Sequence, residues 1–167
     1  RSNIIASDLE IDDVRSHGVY SAFGDNTVSD STISNAGGVG VYAAEGTVNA
    51  TGVDVSIVEN HGFYATDGDM MLTDCSVTDT DAVGAYVNTG ALTIDGLAVD
   101  GAGSYGIYLL GGTDGAEYNG TVNGADVVDT LGAGIVGNRA SLTISDSTVT
   151  GTGAQGIYVV NADLTVS

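Results

Sequence analysis

Short stretches of the chain alternate strictly between apolar and small polar residues. The clearest is Leu142-Thr143-Ile144-Ser145-Asp146-Ser147-Thr148-Val149. An alternation of two is the period of a strand with one buried face. The same block recurs from Ile4 to Ile11, Asn26 to Ile33, Val48 to Val55, Met70 to Val77, Leu92 to Val99 and Gly120 to Val127. Leu164-Thr165-Val166-Ser167 is the first half of another. Within each block the alternation slips once, at Asp8, Asp30, Gly52, Asp74, Gly96, Gly124 or Asp146. Gly and Asp tolerate left-handed backbone, so the slip predicts a sharp bend. Beyond it, a second short strand buries pairs such as Leu9/Ile11, Val53/Val55, Cys75/Val77 and Leu97/Val99.

A third strand follows a turn of about six residues. Its signature is Gly-apolar-Tyr, at Gly18-Val19-Tyr20, Gly40-Val41-Tyr42, Gly62-Phe63-Tyr64, Gly84-Ala85-Tyr86, Gly106-Ile107-Tyr108 and Gly156-Ile157-Tyr158, with the variant Gly134-Ile135-Val136. Successive glycines are separated by 22, 22, 22, 22, 28 and 22 residues. The single long step places a loop insertion over residues 111–120. Three short strands per 22 residues leave no room for a helix. They describe rungs of an all-β parallel solenoid, about 7.5 of them, stacked at ~4.8 Å. Parallel crossovers are nearly always right-handed, which sets the expected hand. The length predicts one domain over residues 1–167.

Phrases such as Tyr105-Gly106-Ile107-Tyr108-Leu109 and Gln155-Gly156-Ile157-Tyr158-Val159-Val160-Asn161 make the chain resemble the right-handed parallel β-helix repeat proteins, the pectate-lyase-like superfamily. The resemblance covers essentially the whole chain. It implies the single-stranded right-handed β-helix fold but leaves function open, because the family contains polysaccharide lyases, epimerases and hydrolases beside adhesins and tailspikes.

Composition narrows the classes. The chain carries 22 acidic residues against three arginines and no lysine, for a net charge of −19. Without a basic patch, nucleic acid and anionic lipid are not expected partners. The longest apolar runs are a few residues, too short for a membrane-spanning helix. A polyanionic substrate would meet a repelling field. The lone Cys75 sits at an inward position and reads as a small core residue. The acidic, lysine-free composition fits an extracellular or cell-surface setting.

Two outward ladders are expected. Because Val19, Val41, Phe63, Ala85, Ile107 and Ile157 are apolar and inward, Tyr20, Tyr42, Tyr64, Tyr86, Tyr108 and Tyr158 point out, one per rung. Such an amphipathic strip suits sugar rings or another protein. Tyr42, Tyr64, Tyr86 and Tyr108, together with Tyr118 in the insertion, are the candidate ligand-binding residues. Tyr105, Tyr108 and Tyr118 are expected to cluster there. The second ladder, with Thr27/Ser29, Asn49/Thr51, Thr93/Asp95, Thr121/Asn123, Thr143/Ser145 and Thr165/Ser167, resembles the Thr arrays of some antifreeze proteins. Ile5, Met71 and acidic residues interrupt it, so ice binding ranks third among the readings.

The family's enzymes imply an Arg or Lys base beside carboxylate-bound Ca²⁺, or paired carboxylates. Here Arg15 and Arg139 lie several rungs apart, and Glu10, Asp54 and Asp126 share an outward position two or three rungs apart. His61 with Asp81 is the one conceivable acid–base pair, and His17 and His61 read as turn residues. No catalytic or metal residues are assigned and no cofactor is expected, although Ca²⁺ has candidate sites at Asp67/Asp69 and Asp79/Asp81. The leading expectation is a non-enzymatic structural or adhesive stalk or filament segment. Its expected partners are polysaccharide or neighbouring β-helix segments, with end-to-end self-association through unpaired edges. The chain is expected to be a segment of a longer solenoid. The alternative is a segment of a carbohydrate-active enzyme.

Overall fold

The computed structural model describes residues 3–114 and 116–167 and forms a parallel β-solenoid of about seven turns. Among these residues there is no helix long and apolar enough to cross a membrane. The bend in each block does not end its strand. In the central rungs both halves run as one continuous strand, as in Asn26–Ala36, Val48–Val58, Met70–Thr80 and Leu92–Ala102. These join the flanking strands in one ten-stranded sheet, which contains Ile4–Ser7 near one end and Leu164–Val166 at the other. The Gly-apolar-Tyr strands, from Val19–Ala22 to Ile157–Val160, form a separate seven-stranded sheet. The three expected strands per rung are therefore distributed over two sheets.

Register is strict. Each residue pairs in parallel with the one 22 positions on, as in Tyr42 with Tyr64 and Val55 with Val77. Across the insertion the offset becomes 28 and the columns continue, as in Thr93 with Thr121 and Ile107 with Ile135. The inserted segment itself lies between Leu110 and Asn119, since Asn119 and Gly120 already belong to the next strand.

The inward residues make a dry column, with Phe63, Leu72, Leu92, Ile94, Leu97, Ile107 and Leu109 fully buried. Each such side chain contributes about 1.5–3 kcal/mol. Asn26 sits in this column between Ile4 and Val48. Its Nδ2 donates to the Tyr42 carbonyl at 2.7 Å, while its Oδ1 has no partner. Cys75 is buried, as expected, but also has a task. Its thiol donates to the Thr73 carbonyl, as the hydroxyls of Ser31 and Ser147 do to Ser29 and Ser145 at the equivalent corner. Burial pushes the thiol pKa up, which keeps it protonated and unreactive.

All seven expected bend residues have positive φ, between 47° at Asp146 and 78° at Gly96. Two further left-handed columns were not expected. One runs through Asp13, Asn35, Ile57, Asp79, Gly101, Asp129 and Gly151, the other through Phe23, Glu45, Asp67, Thr89, Arg139 and Asn161. Rungs outside the insertion therefore turn at up to three left-handed corners. Ile57, at φ 52°, and Thr89, at φ 59°, are the costly occupants, because a β-branched side chain crowds its own backbone there.

The repeated glycine has a different cause. A Cβ on Gly62 would stand 2.6 Å from the Gly84 carbonyl oxygen and 2.7 Å from a Val77 methyl. Gly40, Gly84 and Gly106 face the same collision with the rung above, whereas Gly156 in the last rung does not. The glycine lets one rung sit on the next.

Two stability changes follow. Ile57→Asn relieves the left-handed strain and raises stability by about 1 kcal/mol. Gly62→Ala overpacks the rung contact and lowers it by about 1–3 kcal/mol. Urea midpoints compared at constant m-value check both.

Candidate functional site

The outer face of the seven-stranded sheet carries the tyrosines. Along each strand the burial alternates, so Val41, Phe63, Ala85 and Ile107 are buried while the tyrosine after each is partly exposed. Strict register brings the rings together. Tyr42–Tyr64, Tyr64–Tyr86 and Tyr86–Tyr108 stack with centroids 4.8, 4.9 and 5.1 Å apart and planes within 13°. Tyr20 continues the row at 5.2 Å, tilted by 34°. The ring faces are thus turned toward one another, leaving edges and hydroxyls to the outside.

The histidines are part of this site, which reading them as turn residues missed. His17 packs on Tyr20 and Tyr42, and His61 on Tyr64 and Tyr86, at centroid distances of 4.9–5.4 Å. Each stands three residues before a tyrosine, at the position that Tyr105 fills beside Tyr108. Aligning the rungs in phase was the signal available for finding them. His61 Nδ1 accepts the Val83 N–H at 3.2 Å, and His17 Nδ1 accepts that of Val39 at 3.0 Å. The bonded nitrogen is therefore the unprotonated one.

The comparison with known families is decisive for the fold. The family model for the right-handed β-helix region matches residues 2–167. The chain belongs to the right-handed β-helix family. No curated protein sequence matches it.

In this β-helix the insertion leaves the corner after Tyr108. Tyr105 and Tyr108 touch at 5.3 Å, but the aromatic contacts of the described residues do not include Tyr118. Tyr118 instead packs against the core and donates its hydroxyl to Asp114, 3.1 Å away. The Ala116 N–H and then this hydroxyl hold the Asp114 carboxyl below its usual range. Tyr118 also lines a depression of about 370 Å³ with Glu117, Asn119, Arg139, Ser141 and Asp163. There the Arg139 Nε donates to the Gly111 carbonyl at 3.1 Å.

The β-helix ties its carboxylates to neighbouring rungs. Asp69 accepts the Ala91 N–H at 2.8 Å, Asp67 accepts the Thr89 hydroxyl, and Asp25 accepts the Thr47 N–H at 2.9 Å. Asp54 takes the Ser76 hydroxyl, and Asp95 takes the Asn123 amide, whose oxygen accepts from Ser145. Among the described residues no group of three or more His, Cys, Asp or Glu is placed to hold a metal ion.

Burial, then the neighbouring phenols, pushes Tyr86 up to about 12, and burial chiefly raises Tyr64. Tyr64 and Tyr86 therefore stay protonated at neutral pH. Burial also lowers His61 to about 4 and depresses His17. A histidine held neutral in the fold stabilises it fully above its unfolded pKa of about 6.5, and the contribution is lost as pH falls toward the folded value. His61→Val, which copies Val39 and Val83, should remove roughly 2 kcal/mol of acid destabilisation between about pH 6.5 and 4. The check is the difference between the two proteins' urea stabilities across that window. An unchanged pH profile in the variant would contradict the assignment.

Proposed function

We propose that this β-helix is a non-catalytic structural segment of an adhesive stalk or filament, secreted or displayed at a cell surface. The observation that carries the reading is the use made of its polar groups. Asp25, Asp54, Asp69 and Asp95 accept hydrogen bonds from the next rung, each at its own place along the solenoid rather than converging on one cleft. The two histidines give their basic nitrogens to backbone N–H groups. What the molecule presents is a set of uniform faces one rung after another, suited to length and lateral contact rather than to a reacting centre.

Adhesion in this reading works through the tyrosine strip. Because the ring faces are closed against each other, Tyr42, Tyr64, Tyr86 and Tyr108 contact a partner by edges and hydroxyls, with Tyr118 as a separate contact at the insertion. Neighbouring β-helix segments are the second class of partner.

The test is incubation with a panel of neutral and acidic polysaccharides, with and without Ca²⁺, followed for new reducing ends and unsaturated products. The stalk reading predicts no turnover in any condition. It also predicts that retention on a glycan surface, where present, falls at least about tenfold in Tyr64→Ala/Tyr86→Ala. Turnover, with or without calcium, would overturn it.

A further inference from the structure

Charged residues make up 15% of the chain, yet the seven strands of the tyrosine sheet contain none. The charge-free zone reaches beyond the strands, over residues 16–22, 37–44, 60–66, 82–88, 102–111, 130–138 and 152–162. Its histidines are neutral at pH 7, since burial lowers both. Acids begin at its borders, Glu59 and Asp81 on one side and Glu45 and Asp67 on the other. A molecule of net charge −19 therefore carries one flat panel free of charge.

We propose that this panel pairs two copies of the chain side by side. The proposal rests on the tyrosine strip being the adhesive surface and goes beyond it by naming the partner. Three features favour a second copy. First, two such polyanions repel over their other faces, so close approach is least costly where neither carries charge. Second, seven strands at ~4.8 Å and about seven residues at ~3.3 Å give a panel on the order of 800 Å². That is roughly what each partner contributes to a stable interface. Third, the relief is self-complementary over the first three rungs. There the ridge of Tyr20, Tyr42 and Tyr64 runs beside a lane of small residues two positions on, Ala22, Ala44 and Thr66. Later rungs continue the lane with Asn88, Leu110, Asn138 and Val160. A two-fold axis along the solenoid sets each ridge over the other's lane, a closed isologous pairing. The two rods then run parallel, as a stalk of two strands requires. Sugar rings, by contrast, would find the tyrosine faces already covered.

The experiment is sedimentation equilibrium at pH 7 from micromolar to millimolar protein, in low salt and in about 1 M NaCl, where the Debye length falls to about 3 Å. Wild-type protein is expected to dimerise, several-fold more tightly in the high salt. Ala44→Glu/Thr66→Glu puts charge in the lane without touching the ring stack, and should weaken the dimer at least about tenfold. Thr93→Glu/Thr121→Glu, on the ten-stranded sheet, should leave it intact. Circular dichroism establishes that both variants are folded. A wild-type monomer throughout overturns the pairing, as does an oligomer that survives the lane glutamates. A monomer that retains a neutral glycan through the panel would overturn the pairing while leaving the adhesive reading in place.

Discussion

Everything in this molecule depends on one constraint, the parallel hydrogen-bonded register that places each residue over its counterpart one rung below. At ~4.8 Å per rung the chain cannot average its side chains. Whatever occupies a column meets a copy of itself, and the sequence is filtered by whether that meeting is tolerable. Glycine is required where Gly62 meets Gly84 because backbone stands where a Cβ would be. Left-handed corners recurring in three columns keep the turns in phase. The buried corner takes either an apolar residue, as at Leu9, Val53, Leu97 and Ala125, or a small donor, Ser31, Cys75 or Ser147, that satisfies the carbonyl two residues earlier.

The same constraint shapes the surface. A tyrosine repeated every 22 residues becomes a stack whose members shield one another's faces, and burial in its middle raises the phenols of Tyr64 and Tyr86. A carboxylate repeated in this way would become a column of repelling charges. In the outward columns of the ten-stranded sheet the chain alternates Asp with Ser, Thr or Asn, so that Asp54 meets Ser76 and Asp95 meets Asn123. Acids follow one another only at the solvated corners, as in Asp8/Asp30, Glu45/Asp67 and Glu59/Asp81. Acids that serve as rung-to-rung acceptors are committed to structure. A face free of acids in so acidic a chain is the complementary feature, and it coincides with the tyrosines.

Much of this was legible in the chain alone. The glycine spacing carried the rung length and the position of the insertion, and the slip at Asp30, Gly52 or Asp74 carried the first bend. Of the other two left-handed columns, the one through Asp13, Asn35, Asp79, Gly101, Asp129 and Gly151 is built from Asp, Asn and Gly, much as the first is, and was readable once the rungs were aligned. The one through Phe23, Glu45, Thr89 and Arg139 was hidden because its occupants share no residue type that announces a positive φ. Fusion of the two block strands was hidden too, since a single left-handed residue such as Asp30 bends the ladder without breaking it. The outward sense of the tyrosines was readable from alternation, but the closing of their ring faces depends on rotamers. The contacts of His17 and His61 run sideways and to the next rung, and Tyr118 left the expected aromatic cluster for Asp114, four residues away. The charge-free panel lay open in the composition and became a surface only once the rungs were aligned.

The most direct test of the in-register account is a set of nuclear Overhauser contacts between selectively labelled tyrosine rings. Stacking predicts contacts between Tyr42 and Tyr64, Tyr64 and Tyr86, and Tyr86 and Tyr108, with none between Tyr42 and Tyr86 two rungs apart. Missing neighbour contacts, or contacts that skip a rung, would contradict the register on which the rest of the structure depends.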